Sequence, residues 1–563
     1  VSRRNIVFLF VFCVFFSCVS SHRTLAEDTN PKIKVVLSNG NDLVSDLRYL
    51  VDLTDEKSRD QWSVLKDYID IFLMGINLEE PISFDVKVDP ESANGTARYV
   101  PSFPVLNFDD FRTNLDSFGV ESSRRTRSLY KLKMANKPFG WLRFAKNFGY
   151  AVISEDRGEV PLNIGDPKKT AAPLVADGNH LGALMTNATE GLDERRKSFA
   201  SVRKELLAAI KRGEKETKPE FELRKVLTEQ QIDEAERIFV EAERLSVKWT
   251  LEKEKGFGNV DIVISALPDT DLARTIQEFS QKKSQFANLQ GQTDSILSGR
   301  INHPLDAMRQ KHFIDIYTQL QARSNERIDA SDTLSDAEKN AFREATGVLY
   351  EMLISGAKAG LLDAFIDVWP NGESGNQMLA GIVSVDGNKA IDILKKIPDI
   401  GLGYNSELDL EKHEDISIHK VTLPKERRKL LIEFLGGHDV LYIGTGDKQV
   451  WAAGGENALT NLKTAITSSK KEPADTGIGP IIDLRVNLKQ WIELTDDVRE
   501  KNKQEGRADL RKRALEAFAA GDGIMTMRFD RAEKEIRGKM NLQPGILRFV
   551  GSMITKFSKE QLE

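Results

Sequence analysis

Six of the chain's seven histidines, His180, His303, His312, His413, His419 and His438, lie beyond residue 26, and the densest grouping sets His413 beside Glu414 and Asp415 with His419 six residues on. Imidazole and carboxylate together could share a divalent cation or hold a general base in one tautomer. The alternation in ISIHKVTL opposes that reading, because it predicts a strand in which His419 is one polar face position. Asp109 and Asp110 are the residue types of glycosidase chemistry, but adjacent carboxyls point apart, whereas that chemistry needs two facing across a bond. They read better as the first turn of a helix, where negative charge favours the dipole. Ser201 and Lys204 satisfy S-x-x-K without an accompanying K-T-G or S-D-N, so a solvated helix face accounts for them.

Phosphate-cradling and metalloprotease patterns are absent: there is no G-x-x-x-x-G-K-[ST], H-E-x-x-H, G-x-S-x-G or C-x-x-C. GLGY at 401–404 and GTGD at 444–447 lack the rest of a dinucleotide fingerprint, and GTGD lies between two alternating segments, where glycine would supply the positive φ of a tight turn. No residue is therefore assigned a catalytic, cofactor-binding or metal-binding role, and no cofactor or nucleotide is expected. The rings of Trp62, Trp249, Trp451 and Trp491 sit at periodic apolar positions, so core packing is their expected use rather than sugar stacking.

The elements that must carry these residues begin after an export signal. Arg3 and Arg4 precede a 14-residue apolar run from Ile6 to Val19, followed by polar residues and Thr24-Leu25-Ala26, the layout of a secretory signal cleaved after Ala26. As a helix the run would span about 21 Å, short of the roughly 30 Å hydrocarbon core. Both cysteines, Cys13 and Cys18, fall inside it, so the mature chain would hold no thiol and no disulfide. Ser17-Cys18 offers a lipid anchor as a minor alternative. Loss of Arg3, Arg4 and Arg23 with no acidic residue takes the net charge from -6 to -9, a sign that argues against nucleic acid.

The 563 residues, 40% hydrophobic and 29% charged, predict several folded units of α+β class: repeated antiparallel or mixed sheet units covered by helices, with a long helical insertion. We divide the chain into 1–26 (signal peptide), 27–165 (N-terminal α+β domain), 166–255 (helical segment), 256–469 (central repeated α+β domain) and 470–563 (C-terminal α+β segment, behind a linker at 470–480). LRYLVDL at 47–53 reads as a strand, with a helix after it that has Ser58 and Gln61 in capping-box positions. ISFDVKV reads as a strand ahead of an Asn94-Gly95 turn. One helix is expected from the Thr228/Gln231 box through Gly256, with Trp249 the last residue of its apolar face, and another from the Ser335/Glu338 box. A strand, a turn and a helix recur at 99–119, 260–281, 378–399 and 438–466. In the last, HDVLYIG and QVWAAGG predict a hairpin turning at Gly446-Asp447, and a helix capped by Asn457 lays Leu459, Leu462 and Ile466 on that sheet. Asn94 and Asn187 are formal glycosylation sequons.

The phrases GINLEEPISFDVKV, YVPSFPVLNFDDFRTNL, GYAVISED, VDIVISALPDTDLA, AGIVSVDGNKA, VLYIGTGDKQVWAAGGENALTNLK and NLQPGILRFVG, spread over residues 45–552, resemble a family of exported planctomycete-type bacterial proteins of unknown function. The resemblance implies an envelope or extracellular address and carries no catalytic residue, cofactor or substrate. The expected function is thus a non-enzymatic binding or scaffolding protein of the cell envelope, with an envelope protein, a polymer or a lipid as partner. An orphan hydrolase of an envelope or extracellular polymer is one alternative, marked by a cleft of convergent carboxylates or imidazoles. A lipid carrier is the other, marked by a deep, dry groove between sheet and helices.

Overall fold

The structure, a computed structural model, describes residues 31–88, 97–152, 160, 166–214, 216–279, 281–372, 375–400, 403–425, 428–471, 479–494 and 505–562. The expected signal segment with Cys13 and Cys18, the Asn94-Gly95 turn and most of the 470–480 linker lie outside them.

The first stretch of chain forms β1 (Lys32–Leu37), α1 (Gly40–Asp52), α2 (Glu56–Leu73), β2 (Ile82–Val88), β3 (Ala97–Pro104), α3 (Phe108–Ser117), β4 (Val120–Arg124), β5 (Leu129–Met134), β6 (Lys137–Ala145), β7 (Phe148–Val152) and α4 (Pro167–Val175). Next come β8 (Leu181–Thr186), α5 (Leu192–Ala209), α6 (Lys218–Glu241), β9 (Ala242–Glu252), β10 (Phe257–Ala266) and α7 (Asp271–Glu278). The chain continues with β11 (Leu297–Asn302), α8 (Ala307–Asp329), α9 (Asp336–Lys358), β12 (Asp363–Pro370), β13 (Asn376–Val383), α10 (Ala390–Lys396), β14 (Asn405–His413), β15 (Ile416–Thr422), α11 (Lys429–Phe434), β16 (Val440–Gly446), β17 (Gln449–Gly454) and α12 (Ala458–Lys470). Last are β18 (Ile482–Asn487), α13 (Leu488–Leu494), α14 (Glu505–Ala517), β19 (Ile524–Ala532), β20 (Glu535–Leu542) and α15 (Pro544–Leu562).

All these strands join one sheet, and every pairing is antiparallel. Across it the order is β4, β5, β6, β7, β3, β2, β1, β8, β9, β10, β20, β19, β18, β11, β12, β13, β17, β16, β15, β14. The sheet therefore runs through all four folded segments read from the sequence. At 20 strands it passes the roughly ten at which twisted open sheets usually curl or split. Helices pack on it locally. Leu462 and Ile466 of α12 are fully buried with Trp451, Ile416 and Ile418, so the 438–466 hairpin is covered by the helix that follows it. Asn457 takes the N-cap position without a side-chain cap bond. The carboxamide oxygen of Gln377 on β13 accepts from the Asn457 N–H and from Asn461 Nδ2 instead, at 3.4 and 3.2 Å.

Three expected elements differ. LRYLVDL belongs to α1, because Leu43, Leu47, Leu50 and Val51 share a helix face that the segment 47–53 shows only in part, and Asn39 caps the helix through the Asp42 N–H at 2.7 Å. The helix expected from Thr228 starts eleven residues earlier: Thr217 and Glu220 form the capping box, Pro219 fits the first turn, and Thr228 bonds the Arg224 carbonyl from mid-helix. That helix ends at Glu241, and the segment 166–255 contributes β8 and β9 to the sheet. Residues 242, 245 and 249 satisfy a helical period, but Leu245, Val247, Trp249 and Leu251 also alternate, and the ladder bonds available from β8 on one side and β10 on the other make the strand the better solution.

Candidate functional site: an apolar cavity between helices and sheet

Alternation along β13, β15, β16 and β17 gives this end of the sheet two apolar faces. Leu379, Ile418, Trp451 and Ala453 point toward α12 and are buried there. Ile382, Val421, Leu441, Ile443 and Val450 point the other way and floor a cavity of about 400 Å3. Its wall is α9, whose Phe342, Leu349, Met352, Leu353 and Gly356 recur at the spacing of one helix stripe. Its roof is α10 and the turn after it, through Ala390, Ile393, Leu394, Ile397 and Ile400, and Leu361 and Leu362 close one end.

Local sequence explains why each element sits there. α9 begins at a reciprocal capping box, in which Ser335 Oγ accepts from the Glu338 N–H at 3.3 Å and the Glu338 carboxylate accepts from the Ser335 N–H at 2.7 Å. It stops where Gly360 takes φ +71° and the Leu361 N–H returns to the Gly356 carbonyl at 2.9 Å. The short α10 is tied to α9 by two ion pairs, Lys389 to Glu351 at 2.5 Å and Lys396 to Glu344 at 2.6 Å. Beneath the helices the sheet floor is only half-buried at Ile382, Leu441, Ile443 and Val450, and Leu349 is 44% exposed while lining the cavity, so the space communicates with solvent along α9. Tyr317, Ser384 and Tyr404 are the lining side chains that carry a hydroxyl. Burial raises the Tyr317 phenol above its ordinary value. With aliphatic walls and a few hydroxyls, this site can hold an apolar molecule and offers no carboxylate or imidazole for acid–base work.

The residues singled out in the sequence do not converge. His413 Nε2 lies 2.9 Å from Thr467 Oγ1, and Asp415 pairs with Lys470. His419 is fully buried rather than a polar face position, because both faces of β15 are covered. Its Nδ1 accepts from the Asp409 N–H at 2.9 Å, which leaves Nε2 to donate to Thr445 Oγ1 at 2.8 Å. A bulge between Glu407 and Glu411, with Asp409 at φ +51°, aims that N–H. Burial lowers the His419 pKa. Elsewhere, His180 meets Asp46 at 2.6 Å, His312 meets Asp233 at 2.7 Å, and His303 packs edge-on against Phe279 with its pKa pushed down to about 4 by burial. Asp109 and Asp110 are exposed in the first turn of α3, where Asn107 accepts from both their N–H groups. Ser201 and Lys204 lie on the exposed side of α5.

Gly444 and Gly446 do not take positive φ, contrary to the turn reading. They are small because Ile416 crosses both, with Trp451 also against Gly444: a Cβ at 444 would lie 2.9 Å from Ile416 Cγ2. Trp491 is 41% exposed, so it is not the core ring its spacing suggests. Asp363 and Asp367 of β12 do share one face, yet each is spent on the 281–296 loop. Asp363 accepts from Ser284 Oγ and the Gln285 N–H, and Asp367 from Ser295 Oγ and the Gln292 N–H, at 2.5 to 3.0 Å. Burial pushes both carboxyls up. Among the described residues no three His, Cys, Asp or Glu side chains gather as a metal-binding group, and no helix is long and apolar enough to cross a membrane. The cavity itself went unseen in the sequence, although the α9 stripe and the Ile393, Leu394, Ile397, Ile400 run were readable as apolar faces. No family model, curated protein or solved structure matches the chain.

Proposed function

We propose that this chain is an exported, non-enzymatic binding protein that carries one apolar chain of an amphiphile in the cavity between α9, α10 and the sheet. The observation that carries the reading is the cavity itself: about 400 Å3, within the roughly 300–1,000 Å3 of small-molecule sites and walled almost wholly by aliphatic groups. Burying about ten methylenes there would gain on the order of 8 kcal/mol gross, against an immobilisation cost of comparable size. The cavity can therefore capture a chain but needs further contacts to hold it tightly. The basic start, apolar run and Ala26 of the sequence support an export route.

A comparison within the chain supports treating the cavity as a feature. We infer that residues 32–278 and 297–562 are duplicated units. In each, a strand, two helices and a hairpin precede a helix, four more strands and a further helix, and then a second strand, helix pair, hairpin and helix; the second unit differs in one short insertion, α11, between β15 and β16. The outer orders β3, β7, β6, β5, β4 and β13, β17, β16, β15, β14 correspond, and β10 meets β20 at the centre. On this reading α3 is the counterpart of α10. Beneath α3 the space is filled by Phe103, Phe108, Phe111, Tyr130 and Phe144, with Phe108 and Phe144 edge-to-face at 4.3 Å. In the second half mostly aliphatic residues take the corresponding place, with Phe342 and Tyr404 at its border, and leave room.

The test is direct. Organic extraction of the purified protein followed by mass spectrometry should recover a single-chain amphiphile, and delipidated protein should bind a fluorescent fatty-acid probe. Ile443→Trp, which fills the floor, should weaken probe binding at least tenfold with little change in melting temperature. Unchanged probe binding in that variant would remove the cavity as the site.

A further inference from the structure

On the reading that the cavity holds an apolar chain, we infer that the occupant is a single-chain amphiphile with an anionic oxyacid head, a carboxylate or a phosphate monoester, received at the rim by Arg428 and Tyr404. Tyr404 lines the cavity and is half-buried, so its ring belongs to the apolar space while its hydroxyl reaches out of it. Arg428 donates from Nε to that hydroxyl, and its guanidinium carbon lies 5.6 Å from the ring centroid. These two contacts set the guanidinium at the rim and use one of its five N–H groups, leaving the fork of Nη groups for the paired oxygens of an anionic head.

Four described lysines on the flanking segments already have carboxylate partners. Lys389 and Lys396 pair with Glu351 and Glu344, Lys425 with Asp439 at 3.3 Å, and Lys429 with Glu433 at 3.6 Å. Among the described residues no carboxylate lies within ion-pair distance of Arg428, which is exposed. An apolar cavity with a guanidinium beside its lining tyrosine that no described carboxylate pairs is complementary to a molecule with a long apolar body and one negative end. The volume suits one chain rather than the two of a diacyl lipid.

Three probes separate the possibilities: palmitate, hexadecyl phosphate and hexadecan-1-ol, each titrated by calorimetry into the delipidated protein. At least one anionic probe should bind tenfold or more tightly than the alcohol, the tighter of the two identifying the head. Arg428→Gln should erase that preference and leave the alcohol's affinity unchanged, which also shows the cavity intact. Arg428→Lys should retain only part of the preference, since the point charge lacks the fork. Equal affinity of wild-type protein for all three probes, or an Arg428→Gln variant that keeps the anionic preference, overturns the head-group assignment and leaves the cavity reading standing. Failure of all three to bind wild-type protein overturns both. The wild-type comparison decides the matter should Arg428→Gln fail to fold.

Discussion

Two histidines illustrate how the surroundings of one side chain type set opposite responses to pH. His180 is held by Asp46, and that hydrogen bond, outweighing desolvation, raises its pKa. Its contribution to stability is fully present below the unfolded value of about 6.5 and fades as pH rises through the folded value. His419, sealed in the sheet with its pKa lowered by burial, does the reverse: its contribution is present above about 6.5 and is lost as pH falls from there toward the folded value. Chemical denaturation of His180→Gln and His419→Gln between pH 5 and 8 should therefore remove slopes of opposite sign. Matching slopes in the two variants would contradict the hydrogen-bond assignments. Asp46 also meets Lys253 at 2.8 Å, so Asp46→Asn should flatten the His180 slope while adding a cost of its own.

At the scale of elements, α10 and α12 lie on opposite faces of the same strands and differ in how they are held. α12 is fixed by apolar burial, Leu462 and Ile466 being fully buried. Leu462→Asp removes that contact and strands a charge, and should cost at least about 3 kcal/mol, read as a shift in the denaturation midpoint. α10 sits over a partly empty cavity and is clasped to α9 by exposed ion pairs, a class worth about 0–1 kcal/mol each and screened by salt. Glu344→Gln with Glu351→Gln should accelerate amide exchange across 390–397, as should 1 M salt in the wild-type protein, and leave 458–470 protected. Equal acceleration in both helices would mean that the clasp is not what restrains α10.

For the whole molecule, the pairing of β10 with both β9 and β20 is the seam on which sheet continuity depends. Ile262 lies opposite Val247 on one side and Gly538 on the other. Ile262→Pro should disturb ladders on both sides, because proline has no N–H and is tolerated in sheets essentially only at edges and bulges. Hydrogen exchange should then rise together in 242–252 and 535–542. A rise on one side alone would show that the two parts of the sheet are stabilised independently.

Much of the local structure was legible because its causes are local. The Ser335/Glu338 box follows from residues within one turn of each other, and the 438–466 hairpin and helix, with the apolar stripe that buries Leu462, from one continuous segment. The 242–252 strand was not legible, since its spacing fits two periods and the choice rests on partners on both sides, one of them, β8, more than fifty residues away. The strand order was hidden for a related reason: alternation marks which face of a strand is apolar but leaves its neighbour unspecified. The cavity lay further out of reach. By itself the sequence determined that α9, α10 and one face of β13, β15, β16 and β17 must be covered. Only the tertiary structure decided that they cover one another incompletely, because the distance between two apolar layers depends on every side chain placed between them, and here those are mostly aliphatic where the first half of the chain packs a cluster of aromatic rings.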